Sequence, residues 1–348
     1  MQLSDNKETD INRKQMEQLL GGGLDRLPHA LLLVGAEGLG KAAFAENVAR
    51  RLLCESPRSS GGACGECQAC HWIAGGNHPD FRHVKPESDE DAEEGARERS
   101  KKRGPGLIRI DQIRELESFV FVGSHRMGRR VVLLTEAEAM NGPAANSLLK
   151  ILEEPPPSVY FILVSSRSKA LLPTIRSRCR TLAFPTPERG TAAALLAQAG
   201  LGKQAGRYLD LAAGAPMRVA QWNEGGLIAP LDALIETLQN PPADPISLAT
   251  RWDALLKSEP VFHMEHLVEE VQRWFFDLAL ERLAGSIRYH GGWSRPKPVS
   301  GGLNQNALLA GWRELMQFRR SARHPLNQLL FLEGLASHYL RALRPVSA

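Results

Sequence analysis

The first half of the chain alternates between solid apolar runs and stretches whose apolar residues return every three or four positions. The segments "HALLLV" (29–34), "RRVVLLTEAEAM" (129–140) and "VYFILVSS" (159–166) contain uninterrupted apolar runs and read as buried strands, with "RTLAF" (180–184) a further short one. Between them, "KAAFAENVARRLL" (41–53) and "GPAANSLLKILEE" (142–154) carry near-helical spacing. The second must stop at Pro155, Pro156 and Pro157, because proline has no amide hydrogen to continue the ladder. "RSKALLPTIRSRC" (167–179) reads as helical in part. Buried strands alternating with helices predict an α/β fold, a mostly parallel sheet covered on both faces.

Beyond "FPTPE" (184–188) the pattern changes to Ala- and Leu-rich stretches with no strand signal. Five of the six tryptophans lie from Trp222 onward, so this half has its own apolar core. In "PLNQLLFLEGLASHYLRAL", Leu326, Leu329, Leu332, Ala336, Leu340 and Leu343 recur three or four apart, one face of an amphipathic helix. The aromatic residues read as packing.

Composition adds limits. The 348 residues suffice for two or three domains, and 43% hydrophobic with 24% charged content is ordinary for a globular protein. No apolar run reaches the roughly 18 residues of a membrane span, and the polar N-terminal stretch lacks a signal-peptide core. A cytoplasmic protein is expected. A net charge of +4 permits nucleic-acid contact without arguing for it. The segment 87–103, acids first and bases last, has nothing strongly apolar to bury and predicts a disordered loop.

Two clusters carry chemistry. "GAEGLGKA" (35–42) has the layout of a phosphate-binding loop, with Gly35, Gly40 and Lys41 at the motif positions, but Ala42 stands where a Ser or Thr hydroxyl holds Mg²⁺. Cys54, Cys64, Cys67 and Cys70 form C-x9-C-x2-C-x2-C, four thiolates on tight turns that suit one tetrahedral, structural Zn²⁺. His71 and His78 are alternative ligands in principle, and Cys179 reads as a small buried residue.

The order of phosphate loop, helix, four-cysteine insert, "GNHPDF" (76–81), "ANSLLKILEEPP" (145–156) and "LLPTIRSRC" (171–179) resembles the clamp-loader branch of the AAA+ ATPases, which serves bacterial DNA polymerase III. The strong motifs cover about residues 29–185. The resemblance implies a RecA-like AAA+ domain over 1–185 with a zinc-binding insert (54–70), a small helical lid over 186–228, and an all-helical collar and oligomerisation domain over 229–348. It also implies an arginine finger at Ser177-Arg178-Cys179, with Arg178 reaching a neighbour's ATP. The implied partners are motor subunits of the gamma/tau type, a delta-type subunit, and, through the hetero-oligomeric assembly, the sliding clamp and primed DNA. No membrane is involved. Arg218, in "LAAGAPMRVA" (211–220), is similar to a nucleotide-sensing arginine of the lid, or else serves packing.

Active members of the branch end their second strand in Asp-Glu, and here the strand gives Thr135 and Glu136. A neutral threonine cannot replace a carboxylate beside Mg²⁺. With Ala42 as well, the expectation is a chain that neither hydrolyses ATP nor holds ATP and Mg²⁺ productively. Lys41 leaves weak nucleotide binding open, or a loop kept as a helix-capping turn. Two other readings are an active motor subunit of the same loader and a zinc-dependent nucleic-acid-binding module. Residues 54–80 carry no basic residue but Arg58, two histidines apart, which weighs against the second.

Overall fold

The computed structural model describes residues 12–21, 23, 26–58, 62–87, 106–121, 128–293, 305–322 and 327–343. They fall into two compact units, 1–187 and 188–348.

The first unit opens with α1 (Arg13–Leu20), then β1 (Ala30–Val34), α2 (Lys41–Leu53), α3 (Gln68–Ala74), β2 (Phe81–Val84) and α4 (Ile110–Phe121). It continues with β3 (Arg130–Leu134), α5 (Gly142–Glu153), β4 (Val159–Ser165), α6 (Pro173–Arg178) and β5 (Arg180–Ala183). The five strands form one sheet in the order β2-β3-β4-β1-β5 with every pair parallel. This is the RecA-like arrangement expected.

Period-two alternation splits each central strand between two layers. Ala30, Leu32, Val132, Leu134, Phe161 and Leu163 pack with Ile113, Leu116 and Val120 of α4 and Leu148, Ile151 and Leu152 of α5. The alternate residues Leu31, Leu33, Val131 and Leu133 are buried too, and α2, with Phe44, Ala45, Val48 and Leu52 buried, touches β1, β3 and β4. Burial on both faces is why these strands read as solid apolar runs. Asn141 caps α5, its side chain accepting from the Ala144 amide at 2.9 Å.

Two strand boundaries need correction. The strand read over 129–140 ends at Leu134, because Glu136 takes a left-handed backbone (φ 51°) and Ala137–Ala139 coil into a 3₁₀ turn. Strand β5 stops at Ala183, although Phe184 is buried beyond it. Of the charged segment 87–103, Glu87 forms an antiparallel bridge with Leu107, and the rest lies outside the described residues.

The second unit is helical: α7 (Arg189–Leu196), α8 (Ala205–Leu211), α9 (Pro216–Glu224), α10 (Ile228–Gln239), α11 (Pro245–Ser258), α12 (Met264–Ala284), α13 (Gln305–Ser321) and α14 (Gln328–Leu343). Its aromatic residues are core. The buried Tyr339 hydroxyl donates to the Leu238 carbonyl (2.5 Å) and accepts from the Trp274 indole (3.1 Å), joining α10, α12 and α14. Burial raises its pKa. The buried face of α14 runs through Leu332, Leu335, Ala336, Tyr339, Leu340 and Leu343. Leu329, expected on that face, is 42% exposed in the first turn, and Leu326 lies outside the described residues.

A buried ion cluster ties the segment after α12 back onto it. His290 Nδ1 lies 2.7 Å from Asp277 Oδ2, and its Nε2 lies 2.7 Å from Glu270 Oε1. Asp277 also accepts the amides of Arg288, Tyr289 and His290.

Candidate functional site

The loop between β1 and α2 places its glycines for two different reasons. Gly40 caps α2 in a left-handed conformation (φ 78°) that a side chain resists. At Gly35, a Cβ would come within 2.6 Å of the Phe184 carbonyl oxygen, so the glycine is required by the end of β5. Lys41, 4% exposed, turns its Nζ onto its own chain, donating to the Ala36 carbonyl (2.5 Å) and to Ser166 Oγ (3.1 Å). Burial lowers its pKa, and the nearby Glu138 and Glu37 charges partly offset this.

Sequence reasoning missed Glu138. Its side chain is 5% exposed and its Oε1 accepts the Ser166 amide at 3.1 Å, with Arg167 Nε 3.8 Å away. Its Oε2 is buried with no hydrogen-bond partner among the described residues. A carboxylate from this chain therefore sits beside the lysine that a nucleotide's phosphates would need. The one available hint was its place two residues after Glu136.

On the metal side, Ala42 offers no hydroxyl, and Thr135 Oγ1 is hydrogen-bonded to His83 Nε2 at 3.1 Å. His83 comes from β2, and partial desolvation of its ring lowers its pKa, with Lys85 acting the same way and Glu46 opposing. Glu136 is pushed up by burial and by the neighbouring Glu138 and Glu37 charges, which favours its neutral form.

The four cysteines converge. All four Sγ atoms lie within 4.8 Å of one another, with Cys54–Cys67 and Cys64–Cys70 each at 3.9 Å. A tetrahedral ion with sulfur ligands at about 2.3 Å has S···S edges near ~3.8 Å, so the cluster could hold a metal ion. Amides of Glu66 and Cys67 point at Cys64 Sγ (3.4 and 3.2 Å) and bring its thiol down to about 6. Burial pushes Cys70 up to about 12 and also raises Cys54. For Cys67 burial is outweighed by the Cys70 and Glu55 amides, and the net shift is downward.

Arg51 braces the knuckle through the Arg58 and Gly62 carbonyls (both 3.0 Å), and Arg58 holds the Cys64 carbonyl (2.8 Å). His78 is buried and accepts the Asp80 amide at Nδ1, outside the cluster. Cys179 is buried in the sheet core, and burial raises its thiol to about 11.

Arg178 ends α6 with its side chain 35% exposed. Its Nη2 is 2.5 Å from Glu153 Oε1, and its Nη1 donates to the Thr174 carbonyl at 3.1 Å. In the helical unit, Arg218 pairs with Glu269 (3.1 Å) and lies over the Trp222 ring (5.2 Å).

Against this geometry, the family model described as "DNA polymerase III, delta subunit" matches residues 14–188. The DNA polymerase III subunit delta' of Pseudomonas aeruginosa is 46% identical over 174 residues, covering 50% of this chain and 48% of that protein. The chain belongs to the DNA polymerase III delta-prime family. The delta-prime subunit of Escherichia coli K12 is 34% identical over 162 residues, 46% of this chain and 44% of that one. The matches to these delta-prime relatives thus span about half of their length. Among solved structures, a DNA polymerase III gamma subunit-related protein of Thermotoga maritima covers 97% of this chain and 100% of its own at 16% identity, with a TM-score of 0.47. Delta-prime membership rests on the sequence matches alone. No described helix is long and apolar enough to cross a membrane.

Proposed function

We propose that this chain is a non-hydrolysing, stator-like subunit of a clamp loader, which supplies Arg178 in trans to a neighbouring subunit's ATP. The observation that carries this reading is the filling of the nucleotide site from within. Lys41 is bonded to Ala36 and Ser166, Glu138 brings its own carboxylate, and the two metal-holding positions are Ala42 and a threonine already paired with His83. Hydrolysis needs Mg²⁺, a polarised water and an open phosphate cradle, and all three are compromised together.

Arg178 suits a trans role because a guanidinium is always charged and donates a planar fork to phosphate oxygens. Such a finger is worth ~10³–10⁵ in turnover. The proposed partners are gamma/tau-type motor subunits and a delta-type subunit, with the sliding clamp and primed DNA reached through the assembly. A lid over 186–228 and a collar over 229–348 would complete the subunit, in the cytoplasm. The cysteine cluster would hold one structural Zn²⁺, since four thiolates leave no position for a reacting water.

The test is ATP turnover by a loader reconstituted from this chain and its genomic partners, with clamp and primed DNA present. Arg178→Ala is expected to lower turnover at least a hundredfold with assembly intact. Unchanged turnover would refute the finger, and turnover by the isolated chain would refute the non-hydrolysing reading.

A further inference from the structure

The helical unit carries an open cavity of about 420 Å³ between the end of α8, α9, α12, Tyr289 and α13. Three arginines line it against one carboxylate. Arg218 and Arg273 both reach Glu269 Oε1, and Arg273 also lies 3.3 Å from Glu270 Oε2 and over the Tyr289 ring. Arg319 is different: it is exposed and makes no hydrogen bond or ion pair with a described residue. The cavity thus presents excess positive charge, and the Arg319 fork, whose charge also acts on Glu269, is hydrogen-bonded to no described residue.

Helix α13 extends the site. Its inner side is packed, Leu315 accepting from Gln272 at 2.9 Å and Phe318 meeting Phe331 edge-on at 5.3 Å. On another side Leu309, Trp312 and Met316 are 36%, 37% and 45% exposed, and Trp312 makes no ring contact among the described residues. The spacing 309, 312, 316, 319 puts these three and Arg319 on one stripe about 15 Å long, running into the cavity wall.

We propose that this cavity and stripe dock an acidic protein segment bearing an aromatic anchor. A carboxylate of the segment takes the Arg319 fork, and the anchor enters between Trp312, Met316 and Tyr289. Guanidinium geometry matches a carboxylate bidentately. Trp, Tyr, Met and Arg are the side chains enriched at protein interfaces, and methionine adapts to varied partners. The stripe is longer than a small ligand needs. A nucleic-acid track would string free cations along a path with stacking platforms. Here two of the three guanidiniums are already engaged, and Glu269 stands in the wall. The proposal is independent of Arg178 and of the phosphate loop.

The test uses the full chain and a fluorescein-labelled octapeptide alternating aspartate with phenylalanine, followed by anisotropy at low salt. Saturable binding is expected, weakened at least tenfold by Arg319→Glu, by Trp312→Ala, and by asparagine in place of each aspartate. Arg319→Lys should fall between, keeping charge but losing the fork. Both side chains are exposed, and circular dichroism checks that the variants remain folded. No saturable binding, or binding indifferent to both substitutions, overturns the proposal. So does self-association lost in Trp312→Ala, which assigns the stripe to a second copy. Oligonucleotide binding that Arg319→Glu abolishes, with none of the peptide, overturns it in favour of nucleic acid.

Discussion

In the isolated chain Arg178 is held by Glu153, with the two side chains 35% and 50% exposed. A finger that reaches a neighbour's phosphate must let this carboxylate go, so Glu153→Gln is an informative perturbation. An ion pair this exposed is worth about 0.2–1 kcal/mol. The Thr174 carbonyl still holds Nη1 at 3.1 Å, so α6 and its arginine should stay in place. Folding stability is therefore expected to fall by less than about 1 kcal/mol. Release of the fork becomes easier by the same amount, at most a roughly fivefold gain in turnover where release is limiting. Arg178→Ala has the same small stability cost but a loss of at least about a hundredfold in turnover. The assay pairs turnover of the reconstituted loader with gel filtration and urea unfolding of the chain. A tenfold fall in Glu153→Gln with assembly intact would refute the competition argument, because Glu153 would then be holding the arginine in working geometry. A stability loss above about 2 kcal/mol in Arg178→Ala would make the arginine a structural residue.

Purified protein should carry one zinc per chain by metal analysis. Cys64→Ser should lose the metal and lower the unfolding temperature of the sheet-bearing unit, since a structural site contributes folding energy. Lys41→Met should leave loader turnover within about twofold while costing about 1–3 kcal/mol in denaturant titration, because Ser166 Oγ and the Ala36 carbonyl lose their donor. A large loss of loading by a folded variant would show that the loop binds something that matters. For His290, burial alone lowers the pKa, but the carboxylates on both ring nitrogens raise it above its ordinary 6.5. Its contribution is full below 6.5 and is lost as pH rises through the raised value, while that of Asp277 is lost in acid below 3.8. The urea midpoint of the helical unit should decline on the alkaline side in wild type and lose that slope in His290→Gln; an unchanged slope rejects the assignment.

The central sheet was legible because β1, β3 and β4 are buried on both faces and so are written as apolar runs. Strand β2 was not, because "FRHV" is an edge strand with Arg82 and His83 exposed and only Val84 buried. Helix α4 shows Ile113, Leu116 and Val120 at helical spacing, but its signal is short and follows closely on the charged segment. The cysteine cluster was readable because three of its members fall within seven residues. The contacts of Lys41 with Ser166 and of Thr135 with His83 were not, since they join positions 125 and 52 residues apart that only the folded sheet brings together.

Helix α2 has Lys41 at one end, and Cys54 follows its last residue at the other. Thirteen residues make a rod of about 20 Å. It is anchored at one end by the lysine's bonds to Ala36 and Ser166 and at the other by the thiol cluster. The glycines and the lysine of an energy-converting loop can thus survive as the fittings of a strut. Gly35 yields room to Phe184, and Lys41 fastens the rod to the tip of β4. A motif of this kind can be kept for mechanical need, and counting Gly and Lys alone does not tell a strut from an engine.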